Sequence, residues 1–333
     1  MQRFRNISLQ TISLNTLFQF LIRIVTSIPT LIATILIAYY AGFETLGSFT
    51  KIVAFVSIFY LFVDFGMNSL FLKLHFDTIK NKLGNLLLLR VIIAVLLLPI
   101  IYLSTFLLPH NPLTQTGFSG FEKEGIMIYS LTIITTGLIT SLQAYLQKKL
   151  SYSLSFLPTL LSSLILLVII VFAAKQQNLH LLLFSYVVSG SVLFVSLFFV
   201  LQSKYSLNLK TSNLQSFSKT LLIASLPLGL MLIFNLLYAK IDTLILSFFR
   251  PSVEVGIYGI AYKFFDVSIA IPLYLANSVY PLLLKKRNDE KGYLALLKKY
   301  ASLFIFVSFV VTLSVLFLSP LISLLKSDFA RSV

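Results

Sequence analysis

The feature that most constrains this chain is a succession of long apolar runs, separated by short polar connections rich in Lys and Arg. A helix rises about 1.5 Å per residue, so roughly 20 apolar residues cross the roughly 30 Å hydrocarbon core of a bilayer. Inside that core every backbone N–H and C=O must be bonded within the segment, which selects α-helices for runs of this length. Nine runs are readable, at about 12–38, 50–73, 83–109, 126–146, 154–174, 180–202, 219–248, 256–284 and 301–325. With 58% hydrophobic and 11% charged residues and a mean hydropathy of +0.94, the chain carries more apolar surface than a water-soluble core can hide. The expectation is an all-α polytopic membrane protein of about nine transmembrane helices.

A net charge of +15 would point to nucleic acid in a soluble protein, but here the cations lie mainly in the connections, which is a topological signal instead. Sixteen Lys and Arg fall on the side of the N-terminus, among them Arg3, Lys82, Lys148 and Lys204, against six on the other side, where Lys51, Lys123, Lys175 and Arg250 are counted. That excess puts the N-terminus in the cytoplasm. The first run, from near Thr11, is longer than a signal-peptide core and is followed by no small-residue cleavage site, so it is read as a retained span. Cysteine is absent, which excludes a disulfide framework, a thiolate metal site and a cysteine nucleophile. The longest polar connections are 203–218 and 285–300. The first divides the chain into a six-helix bundle over 1–205 and a partial second bundle of three helices over 206–333. Pro29, Pro99, Pro227 and Pro272 lie inside runs, where kinked helices can line a cavity.

Ionisable groups inside a span cost roughly 2.5 to 3.5 kcal/mol each on the insertion scale, so they face a protein interior or a wet cavity. Helix 1 carries Asn15, Gln19, Arg23, Ser27, Thr30 and Thr34 at helical spacing, a stripe that reads either as a lumen wall or as Ser and Thr bonded to backbone and neighbours. Asp64 in helix 2 should lie at the depth of Arg23, and the two would form either a substrate- or proton-linked switch or a static pair. Thr132, Thr136, Thr140, Gln143 and Gln147 make an uncharged polar stripe, suited to sugar hydroxyls or to ordinary interhelical contact. Helices 7 and 8 hold Lys240, Asp242, Lys263 and Asp266; stripes of Asn235, Tyr238 and Asp242 and of Tyr262, Asp266 and Asn277 follow helical spacing, and Lys263 can reach Asp266. Arg90 stands one or two turns inside helix 3 and is expected to snorkel to the interface. Excess buried positive charge implies an anionic ligand, and Arg suits phosphate through its planar fork.

The order of short segments resembles that of the polysaccharide-export flippases, O-antigen flippases among them, which share a superfamily with the multidrug and toxic-compound extruders. The segments are Gly42-Phe43-Glu44-Thr45-Leu46-Gly47 after helix 1, Asp64-Phe65-Gly66-Met67-Asn68 in helix 2, Lys240-Ile241-Asp242 in helix 7, Val255-Gly256-Ile257-Tyr258-Gly259 before helix 8, and Ala261-Tyr262-Lys263 with Pro281 in helix 8. The resemblance implies two six-helix bundles around a cationic cavity and a carrier that passes undecaprenyl-pyrophosphate-linked oligosaccharide across the bacterial cytoplasmic membrane by alternating access, for polysaccharide or lipopolysaccharide assembly. It makes Arg23, Lys240 and Lys263, with Gln19, Asn15 and Gln143, the candidate substrate-binding residues, and Asp64, Asp242 and Asp266 the candidate coupling or ion-pair residues, with a proton or sodium as coupling ion. Members have twelve or fourteen helices, so a chain of nine is expected to be a truncated or partial sequence.

A multidrug extruder of the same superfamily is the nearest alternative. A membrane-embedded glycan polymerase or ligase would need an extramembrane catalytic surface, and the largest outer connection is about 110–125. His75, His110 and His180 are scattered among different connections and form no metal or nucleophilic triad. No Gly-rich phosphate loop is present, so the chain is expected to need no nucleotide and no cofactor, its partners being the lipid-linked sugar, membrane lipid and the coupling ion.

Overall fold

The computed structural model describes residues 9–73, 76–211, 213–285 and 289–323. The elements are α1 (Leu9–Asp64), α2 (Met67–Lys73), α3 (Phe76–Leu107), a small antiparallel hairpin of β1 (His110–Asn111) and β2 (Thr116–Gly117), α4 (Gly120–Ser130), α5 (Thr132–Lys149), a 3-10 turn (Tyr152–Ser155), α6 (Phe156–Lys175), α7 (Leu179–Tyr205), α8 (Leu214–Phe249), α9 (Ser252–Lys285) and α10 (Glu290–Ser323). Among the described residues, seven helical stretches are long and apolar enough to cross a membrane, the first of them running 17–72. The protein is a helical, multi-pass membrane protein. It divides into two compact units, Met1–Gly256 and Ile257–Val333.

Connections are shorter than the apolar runs imply. The 42–49 segment, expected as an outer connection, is helical apart from Gly42, whose φ of 84° and ψ of 169° fold α1 back on itself. Lys51, counted as a loop cation, therefore lies in the second arm of α1 and is fully buried. The 110–125 connection is shortened in the same way, because α4 starts at Gly120 behind a Ser119–Glu122 capping box. Asp289 caps α10 by accepting from Gly292 N at 3.0 Å, so much of 285–300 is helix.

Side-chain bonds identify two ends of the first unit. At one, Lys51 Nζ donates to Gly117 O at 2.9 Å, Gln177 Nε2 donates to Tyr40 O at 3.4 Å, and the Lys175 ammonium stands 5.6 Å from the centre of the Tyr40 ring. At the other, Tyr152 N donates to Asn15 Oδ1 at 2.9 Å, Tyr205 Oη donates to Ser151 Oγ at 2.7 Å, and Lys148 bonds the Leu72 carbonyl. Arg3, Arg5, Lys286, Arg287, Lys326, Arg331 and His75 lie outside the described residues.

Between the ends the helices are joined by small residues and hydroxyls. Ser163 Oγ donates to Val25 O and Ser189 Oγ to Ser162 O, each at 3.0 Å, tying α6 to α1 and α7 to α6. An apolar cluster that includes Met67, Phe71, Leu86, Leu142, Tyr145 and Leu201 fills the half of the bundle toward Asn15. In the second unit, α10 leaves Ile305, Phe306, Phe309 and Phe317 exposed.

Candidate functional site

The centre of the first unit is a broken helix. α1 ends at Asp64, Phe65 and Gly66 take φ values of 38° and 77°, and α2 restarts at Met67. Glycine is required at 66 twice over: the left-handed conformation strains a side chain, and a Cβ there would lie 2.6 Å from Leu228 Cβ of α8. α8 approaches this closely because Gly229 is bare, and a Cβ on Gly229 would sit 2.8 Å from the Phe65 ring. The break and α8 thus interlock just beyond Pro227.

Arg90 of α3 fills the space beside the break and is 1% exposed. Its Nη2 donates to Asp64 Oδ1 at 2.7 Å and Asn68 Oδ1 at 2.8 Å, one acceptor on each side of the break. Its Nη1 donates to Gly137 O at 3.0 Å, Thr140 Oγ1 at 2.6 Å and Ser141 Oγ at 3.0 Å, all on α5. Gly137 leaves room for the stem, since a Cβ there would lie 2.6 Å from Val63 and 3.5 Å from Arg90 Cβ. One guanidinium therefore pins α1, α2, α3 and α5 together. The expected Arg23–Asp64 pair is replaced by Arg90–Asp64, and Arg90 does not snorkel. A carboxylate at a helix C-terminus meets the negative end of the helix dipole, and the guanidinium offsets that repulsion. The Asp64 side chain remains 29% exposed.

Near the Gly42 end lies a second polar centre. Glu122 is 3% exposed; its Oε2 accepts from Ser119 N at 2.7 Å, and its Oε1 lies 3.7 Å from Lys51 Nζ and accepts from Ser252 Oγ at 3.1 Å. A Cβ on Gly47 would overlap the Ser252 carbonyl and one on Gly256 would overlap the Phe43 carbonyl, so backbones touch here. Alongside runs a polar recess of about 290 Å³, lined by Glu44, Ser48, His110, Ser119, Glu122 and Ser252, among others. Sequence reasoning missed this centre; its signal was the Ser-x-x-Glu spacing of 119 and 122.

The other expected residues are distributed as follows. Asn15 is buried and bonded to the Tyr152 backbone. Gln19 and Gln143 are half-buried and Arg23 is exposed. Lys240 and Asp242 are half-exposed on α8, where Asp242 Oδ1 accepts from Thr243 N at 2.6 Å. Lys263 and Asp266 are half-exposed on α9 in the second unit, and the side chain of Asn277 lies outside the described residues. The α5 stripe makes interhelical contacts: Thr140 meets Arg90, and the Thr132 and Tyr60 hydroxyls share a hydrogen bond at 2.7 Å. His180 Nε2 lies 3.7 Å from Glu124 and His110 is on β1. Among the described residues no group of His, Cys, Asp and Glu has the arrangement of a metal site.

Helices packed through buried charge and small residues, with apolar faces turned outward, define a multi-pass all-helical membrane fold. It superposes on the solved structure of the lipid II flippase MurJ in its inward closed conformation, with a TM-score of 0.69 and 17% identity over 95% of this chain and 70% of that one. No curated protein matches the sequence. Residues 12–287 match the sequence model of the family described as polysaccharide biosynthesis protein, and the chain belongs to that family.

Proposed function

We propose that the chain carries undecaprenyl-pyrophosphate-linked sugar repeat units across the bacterial cytoplasmic membrane by alternating access, for polysaccharide or O-antigen assembly, with its N-terminus in the cytoplasm. Membership of a polysaccharide biosynthesis family and a fold shared with a lipid II flippase support a lipid-linked sugar as cargo. The observation that carries the reading is the exposure along α1. At about 100° per residue, Leu17, Ile28, Ile32 and Tyr39 lie roughly 120° to 180° around the helix from Arg23. All four are exposed, and they form an apolar, lipid-suited face. Arg23 is exposed on the opposite side, where a charge facing hydrocarbon would be costly and a wet cavity is not. Along that same side exposure falls toward Gly42: Ser27 and Thr30 are half-buried, and Thr34, Ile37 and Ala38 are buried. The cavity so described is open around Arg23 and closed near Gly42.

In this reading Arg23 and Lys240 attract the pyrophosphate, Gln19 and Gln143 meet sugar hydroxyls, and Lys263 is a further cation of the path. Asp64, Asp242 and Asp266 are the candidate carriers of a coupling proton or sodium ion. The first bundle comprises 1–205, with the second beginning at 206. The test is complementation of a strain lacking its own lipid-linked-oligosaccharide flippase, at matched membrane expression. Restored surface glycan, lost in Arg23→Ala and partly kept in Arg23→Lys, is the expected result. A well-expressed, correctly inserted chain that restores nothing with compatible sugars yet exports cationic dyes would replace this function with drug extrusion.

A further inference from the structure

We infer that Glu122 is the positioning residue of an outer latch, and that the α8–α9 corner is the half that leaves it when the cavity opens toward Gly42. The inference rests on the alternating-access reading, because a cavity open at Arg23 and closed at Gly42 must at some point open where it is now shut. Several parts of the Gly42 end could separate, and the bonds there are not equivalent.

On one side Glu122 is built in. It completes the capping box of α4 through Ser119 and faces Lys51, which is fully buried and donates to Gly117 O. Pulling Glu122 from Lys51 would strand two charges in a desolvated place, which makes this half rigid. Toward the corner Glu122 accepts a single hydroxyl bond, from Ser252. The rest of that contact is backbone against backbone at Gly47, Ser252 and Gly256, beside an edge-on ring contact of Phe118 with Phe248 of α8, whose centres are 5.5 Å apart. Small-residue contacts of this kind let segments approach closely and part without disturbing a packed core. The polar recess lies along the same seam, with Ser48 and Glu122 on the fixed side and Ser252 and Val253 on the corner. Solvent entering there can replace the Ser252 bond as the seam opens. One hydroxyl, two bare helix surfaces, one ring contact and a wet groove form a joint that separates without stranding a charge; the Lys51–Glu122 pair does not.

The chain has no cysteine, so introduced ones report without background. In full-length protein, Ser48→Cys labelling by a membrane-impermeant maleimide in intact cells should rise about ten- to hundredfold when Ser252→Ala is added, the factor expected for loss of one hydrogen bond to a charged group. Oxidative cross-linking of Ser48→Cys with Val253→Cys should stop turnover, and reductant should restore it. Unchanged labelling in the Ser252→Ala background, or full turnover by the cross-linked protein, overturns the latch. Labelling needs no substrate, so increased labelling with no sugar flipped would sustain the latch and reject the proposed cargo. Sugar flipped at full rate by the cross-linked protein would do the reverse.

Discussion

Arg90→Ala should destabilise the folded protein by about 3 to 5 kcal/mol, the cost of breaking a buried ion pair from one side. The structure gives reasons to place the value toward the lower end of that range. Asp64 keeps 29% of its side-chain surface exposed and can recover some hydration, whereas the three α5 acceptors lose one donor group they share. Asp64→Ala leaves the fully buried guanidinium without its counter-charge, though still bonded to Asn68 and α5, so its cost should fall in the same range, about 3 to 5 kcal/mol. If the pair is one unit, the double variant should cost less than the sum by about 1.5 to 2 kcal/mol, the scale of coupling between residues in direct contact. The measurement is equilibrium unfolding in mixed micelles of all four proteins, with inserted, monodisperse protein as the starting state. Coupling below about 0.5 kcal/mol, the level at which distant sites add, would refute the view that this pair joins the break to α3.

Three further outcomes follow from single contacts. Arg23→Ala should lower lipid-linked-sugar flipping at least about tenfold, as loss of one charge-assisted phosphate contact implies, with unfolding unchanged; equal loss of stability would instead make Arg23 structural. Gly66→Ala should cost about 1 to 3 kcal/mol from left-handed strain, before the contact with Leu228 Cβ is counted, and partial rescue by Leu228→Gly, which removes that atom, would confirm the contact. Asn15→Leu should cost about 1 to 3 kcal/mol, because the Tyr152 N–H loses its acceptor, and hydrogen exchange at Tyr152 should quicken.

The apolar runs made the helical membrane fold legible, since hydropathy reports the solvent directly. What they blurred was where helices begin. Arg90 was assigned to the interface because helix 3 was started near 83; α3 begins at Phe76, which puts Arg90 about 21 Å along the helix at 1.5 Å per residue. The polar run from 76 to 82 is helical without being apolar, and hydropathy cannot register that. Asp64 and Asn68 were readable as one polar face, but their partner stands on another helix, a fact of packing that spacing within one helix does not carry. Lys51 was misplaced because a pair of glycines resembles a loop, although only Gly42 turns the chain and Gly47 serves close contact.

Gly42 also governs how motion can pass through the molecule. Because one residue joins the two arms of α1, the arms have almost no slack between them and move as the limbs of a hinged pair of tongs. A Cβ at this position would meet nothing within 4 Å, so the space beside Gly42 itself is open, although Tyr40 and Phe43 on either side of it touch Gln177 and Gly256. Arg23 stands about 28 Å down one arm and Asp64 about 33 Å down the other at 1.5 Å per residue. A turn of 10° at Gly42 would therefore carry either group by about 5 to 6 Å, the pitch of one helical turn. A small parting at the tips of the helices is thereby enlarged, at the depth where the charges lie, to the size of a phosphate group.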